Sequence, residues 1–153
     1  MSAFGMFVMD LGFEYARSLA RTQDKFDIAE VNGVYTDMRR QAQENFARIG
    51  IPQAQLSYQA SVEMRYAGQF HEVEIDLPPG ELNIENLQVL LKNFHAKYER
   101  MYTYSMPWRA AEFLTFHLKV TAPRRPLRMA TTIEAVSNIE YPRRGSRRCF
   151  FDG

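Results

Sequence analysis

The sequence has a single cysteine among its 153 residues, Cys149, which lies close to the C-terminus. One cysteine cannot form a disulfide within the chain, and neither a CxxC pair nor a Cys/His cluster is present, so neither a disulfide framework nor a structural zinc site is indicated. We therefore expect a protein of a reducing compartment, the cytoplasm.

Long uncharged apolar runs are also missing. The first residues, MSAFGMFVMDLGFEYARS, are apolar, but no basic segment precedes them and they contain Asp10 and Glu14. A membrane-spanning helix requires roughly 20 predominantly apolar residues, and a secretory signal begins with a basic region. The segment is therefore predicted to belong to a core, and no membrane association is expected.

Sequence motifs for nucleotide binding or catalysis are absent, since GxxxxGK[ST], GxGxxG, GxSxG and HExxH do not occur. The histidines are His71, His95 and His117, and they fall on three different predicted elements. A three-histidine metal site would require them to converge in the fold. We interpret them instead as surface or hydrogen-bonded histidines, and predict that this chain binds no metal and no other cofactor.

Acidic residues alternate along one predicted strand, at Glu72, Glu74 and Asp76. Paired carboxylates carry out general acid/base catalysis in many enzymes. However, residues that alternate in a strand share one face of a sheet. We interpret these three residues as a solvated or subunit-contacting face.

The formal net charge of +1 hides an asymmetry along the chain. Residues 123–148 contain seven arginines and two glutamates, a net charge of +5, whereas residues 1–122 contain 12 basic and 15 acidic residues, a net charge of −3. The arginines lack the interleaved aromatic side chains typical of a nucleic-acid-binding protein, so we favour docking to another protein over binding to nucleic acid.

Residues 123–153 contain several Pro and Gly residues and show no regular hydrophobic period. We therefore predict that they form an extended arm, which ends in a short strand at RRCFFDG.

Hydrophobic periodicity predicts one α+β domain over residues 1–122. The order strand, helix, hairpin, helix, strand favours a mainly antiparallel sheet with both helices packed on one face. In the first helix, Asp27 and Glu30 form a predicted capping box, and Gly33 is predicted to let another backbone come close. The predicted core positions are Ile28, Val31, Val34, Tyr35, Met38, Ala42, Phe46 and Ile49 in the first helix, Ile84, Leu87, Leu91, Phe94, Tyr98 and Met101 in the second, and Leu114, Phe116, Leu118 and Val120 in the last strand.

In the predicted hairpin, the alternation of apolar and polar residues shifts by one position between the two strands. Apolar residues occupy even positions up to Tyr66 and odd positions from Val73, so a turn or bulge at Gly68 is predicted to absorb the shift. Arg65 lies on the polar face just before this point, where its guanidinium is able to grip a carboxylate or a neighbouring backbone. We interpret Arg65 and Gln69 as residues that pin the turn. With His95 they are the candidates for a site, and no residue is assigned as catalytic.

The segments MRYAGQ, NFHAKYERMYTY and AAEFLTFHLKV occur in this order. Together they resemble the C-terminal region of the hydantoinase A, 5-oxoprolinase and acetone carboxylase β family, which carries D-x-R-Y-x-G-Q, F-H-x-x-H-E-x-x-Y-G-Y and v-E-x-x-x-x-R-v motifs. The segment SAFGMFVMDLGFEYARS is also similar to the segment that follows the family's ATP-binding body. Three positions depart from the motifs: Tyr98 replaces the second histidine, Thr103 the glycine of Y-G-Y, and His117 the arginine of the last motif. Roles tied to those positions are therefore not carried over.

The resemblance implies a part of a larger enzyme. The family's large members carry an actin-like ATPase module ahead of this region, whereas this chain starts with its own methionine, so a separate small subunit or an excised domain is expected. The arrangement is similar to that of the multi-subunit acetophenone carboxylases, which have a short γ subunit. This implies a hetero-oligomer that converts acetophenone, bicarbonate and ATP to benzoylacetate.

In such a complex, ATP with a divalent metal ion and bicarbonate are expected on the large actin-like-ATPase-containing subunits and the other carboxylase subunits. This chain is expected to have a structural or site-completing role, with its N-terminal strand and arginine arm as docking surfaces. Two alternatives remain open. One is a subunit of a related acetone carboxylase, hydantoinase or 5-oxoprolinase, and the other is a free-standing module that binds a polyanion or a protein.

Overall fold

The computed structural model describes residues 10–123 of the chain. The predicted order of strand, helix, hairpin, helix and strand is confirmed, and the predicted arm beyond Pro123 lies outside the described residues. The elements are β1 (Leu11–Thr22), α1 (Ile28–Arg48), β2 (Ser57–Tyr66), β3 (Val73–Asp76), α2 (Ile84–Tyr102) and β4 (Ala111–Ala122).

The four strands form one antiparallel sheet in the order β1-β4-β2-β3. Both helices cover the same face, on which Tyr35 of α1 meets Phe116 of β4 edge-on, with ring centroids 5.9 Å apart. On α2, Phe94 packs against Tyr66 of β2 at 4.8 Å. The predicted α+β class, with two helices on one face, is therefore confirmed.

The two edges of the sheet differ. β3 has only four residues, and Lys97 of α2 donates from Nζ to the carbonyl oxygen of Glu74 at 2.6 Å. β1 has 12 residues and pairs only with β4 in the part of the chain that the structure describes. The short edge is thus partly covered by a helix side chain, as sheet edges often are, whereas no strand among residues 10–123 pairs with the outer side of the long edge.

The phase change in the hairpin follows from its register. Met64 pairs with Val73, and residues directly opposite each other point to the same face of a sheet. Even positions of β2 therefore share the buried face with odd positions of β3. The connection turns at Gly68, which has a φ of +75°, and Gln69 N–H donates to the carbonyl of Tyr66 at 2.9 Å. The predicted turn at Gly68 is confirmed.

The last strand has a phase change that the sequence pattern missed. Phe113 and Phe116 are both buried, and Leu114, which we predicted to be in the core, is only half-buried. The pairing with β2 shifts by one residue between these phenylalanines, and such a bulge moves the following side chains to the other face. The prediction for Leu114 is therefore wrong.

The first helix begins and ends with local hydrogen bonds. Asp27 accepts from the N–H of Ala29 at 2.8 Å and of Glu30 at 3.4 Å. The carboxylate of Glu30 binds Arg21 instead of Asp27, so only half of the predicted capping box forms. At the other end of the helix, Gly50 has a φ of +77°. The N–H of Ile51, which follows Gly50, donates to the carbonyl of Phe46, as in a Schellman motif.

Several predicted helix positions are corrected by the structure. Ile49, Ile84 and Met101 are exposed, because they lie at helix ends that the sheet does not cover, while Leu90, which was not predicted, is buried. The prediction that Gly33 allows a close backbone approach is wrong, since nothing lies within 4 Å of the position that a Cβ would take there.

Candidate functional site

The segments that carry the family resemblance meet at one end of the molecule. This end, which we call the motif end, comprises residues 65–72, 94–104 and 106–112. The N–H of Ala67, in the turn after β2, donates to the carbonyl of Ala110, just before β4, at 2.9 Å. The side chain of Tyr66 joins both segments to α2. Sequence motifs far apart in the chain therefore form one site.

Tyr66 is the centre of this site, and its side chain is fully buried. Its hydroxyl accepts from the backbone N–H of Met106 at 3.0 Å and lies 2.7 Å from Nδ1 of His95. Because a backbone N–H only donates, the single hydroxyl proton is available to His95. We infer that the hydroxyl donates to Nδ1 of His95, which places the ring proton of a neutral imidazole on Nε2.

The protonation states agree with this arrangement. Burial lowers the pKa of His95 below its ordinary value of 6.5, which favours the neutral imidazole that the hydrogen bond requires. Burial is also the largest cause that raises the pKa of Tyr66 above 10.0, so its hydroxyl stays protonated. The lowered pKa of His95 is thus consistent with a neutral ring in the hydrogen bond to Tyr66.

A cluster of aromatic rings surrounds Tyr66. Tyr98 packs against it in an edge-on arrangement, with centroids 4.7 Å apart, and also contacts Tyr104 at 5.6 Å. The hydroxyls of Tyr98 and Tyr104 are 3.4 Å apart. Burial raises the pKa of Tyr98 far above its ordinary range, so this neutral phenol stands where the family motif has a second histidine.

Arg65 forms an ion-paired link between two strands and a turn. Its Nε donates to Glu112 Oε2 at 2.7 Å, and Nη1 lies 3.6 Å from Glu72 Oε1. The Arg65 and Glu112 side chains are both partly buried, which makes this pair less solvent-screened than a surface pair. For Gln69, the hydrogen bond in the structure is that of its backbone N–H. Any role of these residues or of His95 in a reaction stays a prediction.

The acidic residues of β3 and of the segment before it contact different polar side chains. Glu72 faces Arg65, Glu74 accepts from the hydroxyl of Ser61 at 2.5 Å, and Asp76 accepts from Gln59 at 3.2 Å. Each carboxylate thus has its own polar neighbour on the face of the sheet away from the helices.

The three histidines occupy three separate environments. His71 stacks on Tyr102 with centroids 4.8 Å apart, and His95 bonds Tyr66. His117 lies on the open face of the sheet, with Nδ1 3.2 Å from Glu14 and Nε2 3.5 Å from Glu63. Within residues 10–123, no group of three or more His, Cys, Asp or Glu side chains is placed to hold a metal ion.

Thr103 has a left-handed backbone conformation, with φ +66° and ψ 8°, at the end of α2. A β-branched residue is strained there, whereas glycine adopts this conformation freely. The glycine of the family motif falls at this same position, and the structure gives a physical reason for it: the helix must stop here so that the chain can return toward Tyr66.

Thr103→Gly is therefore expected to raise the free energy of unfolding by about 1 kcal/mol, because it removes the strain of a left-handed L-residue. Urea unfolding of the two proteins would measure the change. Thr36→Gly, in the interior of α1 where the backbone is helical, is the matched control and should lower stability by about 0.3–0.5 kcal/mol, because threonine is itself a weak helix former. Equal losses for both variants would contradict the strain at Thr103.

The surface of the motif end carries large exposed side chains. Phe70 is 93% exposed and Trp108 is 82% exposed, and Met101 and Tyr104 of the motif end are also exposed. The sequence pattern did not reveal these, because a loop residue has no period from which its burial can be inferred. The motif end thus combines exposed apolar surface with structural hydrogen bonds.

None of the helices in residues 10–123 is long and apolar enough to cross a membrane.

Residues 19–123 match the family described as the hydantoinase/oxoprolinase C-terminal domain. The chain is 28% identical over 145 residues to the α subunit of caprolactamase from Pseudomonas jessenii, a match that covers 91% of this chain and 21% of that protein.

Two solved structures share the fold. One is the ATP-dependent caprolactamase from Pseudomonas jessenii, with a TM-score of 0.74 and 26% identity over 80% of this chain and 18% of that one. The other is nucleotide-free acetone carboxylase, with a TM-score of 0.73 and 21% identity over 80% of this chain and 19% of that one. The chain spans about a fifth of the length of these relatives.

Proposed function

The chain belongs to the family of hydantoinase/oxoprolinase C-terminal domains, and from this we propose that it is a structural or site-completing part of a cytoplasmic, ATP-dependent enzyme complex. ATP with a divalent metal ion binds to large partner subunits in this proposal, and this chain braces them. Two similar proteins that are ATP-dependent by name, a caprolactamase and an acetone carboxylase, support the use of ATP by the complex.

The observation that carries the proposal is the exposure of Phe70 and Trp108 at the motif end. Large apolar side chains that cluster on a surface mark interaction sites, and Trp, Tyr and Arg contribute most strongly to protein interfaces. Arg100 and Arg109 lie at this end without an acidic partner among residues 10–123. These features fit a partner surface with an apolar centre and an acidic rim, on the body of the larger enzyme.

For the reaction, we propose carboxylation of a ketone, with acetophenone and bicarbonate as the substrates to test first and benzoylacetate as the product. Hydrolysis of a lactam is the second candidate, and it is favoured by the 28% identity to the caprolactamase α subunit over 91% of this chain. In both cases the reacting groups belong to the partner subunits.

Docking is tested by co-purification of the chain with its partners from the native host. Trp108→Ala should weaken the association at least about tenfold, because a buried Trp anchor contributes more than 1 kcal/mol. Ile84→Ala removes another largely exposed apolar side chain, at the end of α2 far from the motif end, and should leave the complex intact. Equal behaviour of the two variants would contradict docking through the motif end.

The reaction is tested with the purified complex by measuring ATP hydrolysis. Stimulation by acetophenone with bicarbonate supports the carboxylase, whereas stimulation by caprolactam supports the lactamase. Hydrolysis of ATP by the chain alone, in the presence of ketone and bicarbonate, would refute the non-catalytic role. A chain that remains monomeric and retains polyanions in a salt-sensitive manner would instead support a free-standing binding module.

A further inference from the structure

A cleft of about 720 Å³ lies at the end of the molecule opposite the motif end. Its walls come from the middle of α1, the first residues of β2, and the segment Leu77–Gly80 that follows β3. The floor includes Leu118 of β4, which is fully buried. The cleft is large enough for a small organic molecule, because small-molecule sites usually have volumes of about 300–1,000 Å³.

Among residues 10–123, Arg39 is the only charged side chain that lines this cleft. It is half-buried, and it makes no hydrogen bond or ion pair with any residue from 10 to 123. Its neighbour Arg40, on the exposed side of α1, pairs with both Asp37 and Glu44. Arg40, outside the cleft, therefore has carboxylate partners, whereas Arg39, inside it, has none among residues 10–123.

The rest of the lining combines amide groups with apolar surface. Gln43 and Gln53 approach from one side, and the Gln43 amide is 3.5 Å from the hydroxyl of Tyr58. Leu56 and Pro78 contribute apolar walls. A planar guanidinium is suited to hold a carboxylate through two parallel hydrogen bonds, and the apolar walls are suited to the body of the same molecule.

Hydrogen bonds fix the walls in place. Asn32 of α1 donates from Nδ2 to the carbonyl of Leu82 and accepts from the N–H of the same residue, both at 2.9 Å. The N–H of Leu77 donates to the carbonyl of Ala60 at 2.8 Å. The segment between these two anchors is thereby held against α1 and β2, so the cleft is formed before any ligand enters.

We propose that this cleft is a binding site for a small organic carboxylate, with Arg39 as the residue that holds the carboxylate group and the Leu56 and Pro78 walls in contact with its apolar body. The proposal rests on the cleft itself and does not depend on the reaction or on docking at the motif end.

The test is a titration of the full 153-residue chain with sodium benzoate, followed by NMR of the Arg39 side chain and the glutamine side-chain amides. We expect saturable shifts with a Kd on the order of 1 mM. Benzamide has the same ring but no charge, and should bind at least tenfold more weakly, as should benzoate to Arg39→Gln. Arg39→Lys, which keeps the charge but loses the planar fork, should give intermediate affinity.

Arg40→Gln is the matched control, because it removes the same charge one residue away on the exposed side of α1, and its affinity for benzoate should stay within twofold of the unchanged chain. Three results would overturn the proposal: no saturable shift with benzoate, equal binding of benzamide, or an equal loss of affinity in Arg39→Gln and Arg40→Gln. Circular dichroism of each variant establishes that it is folded before titration.

Discussion

Tyr66→Phe is expected to lower the free energy of unfolding by about 2–3 kcal/mol, although it removes a single oxygen atom. The oxygen satisfies two groups at once, the N–H of Met106 and Nδ1 of His95. Phenylalanine keeps the ring packing against Phe94 and Tyr98 but leaves both polar groups without a partner, and an unsatisfied buried group costs about 1–3 kcal/mol. Urea unfolding followed by circular dichroism would measure the loss.

Two further measurements separate this explanation from a general effect of losing a hydroxyl. Tyr58→Phe removes a hydroxyl whose contact with Gln43 is 3.5 Å long, and should change stability by less than about 0.5 kcal/mol. Nitrogen NMR of His95 should show a neutral ring protonated at Nε2 in the unchanged chain. A ring protonated at Nδ1, or a Tyr66→Phe loss no larger than that of Tyr58→Phe, would contradict the hydrogen-bond arrangement.

Arg65→Met is expected to lower the free energy of unfolding by about 2 kcal/mol, because it leaves the partly buried carboxylate of Glu112 without its cation. Neutralising the carboxylate should relieve part of that loss. The double variant Arg65→Met with Glu112→Gln should therefore be more stable than Arg65→Met alone. A double-mutant cycle by urea unfolding gives the coupling energy directly.

Arg40→Met is the control for Arg65→Met, since Arg40 forms two ion pairs that are both well exposed. Exposed ion pairs contribute little, so the expected loss is below about 0.5 kcal/mol. If Arg65→Met behaves like Arg40→Met, the pair with Glu112 does not hold the turn to β4, and the interpretation of Arg65 as a residue that pins the turn fails.

Sequence periodicity predicted the sheet and helices because their buried faces repeat every two or 3.6 residues. It also placed Arg65 on the polar face beside the phase change. It did not identify Glu112 as its partner, because the register between β2 and β4 depends on a bulge near Phe113 that follows no period. The same bulge explains why Leu114 was assigned to the core.

The motif end was harder to predict, since its key contact joins residues on three separate elements. Tyr66 was recognised as an apolar position of β2, and its ring is buried as expected. The hydrogen bonds of the Tyr66 hydroxyl with His95 and Met106 depend on how the loop of residues 103–110 packs over β2. Hydrophobic periodicity does not contain that information. Trp108, which is exposed, and Arg39, which has no ion-pair partner in the described part of the chain, likewise belong to surfaces whose shape arises only when the elements pack together.

The two edges of the sheet differ in how readily a further strand is able to pair with them. At β3, an incoming polypeptide would meet four residues and a lysine that already occupies the carbonyl of Glu74. At β1, a strand of 12 residues, β4 is the only pairing strand within residues 10–123. In this described part of the fold, α2 therefore covers one side of the sheet, and a further strand is able to continue the ladder on the other.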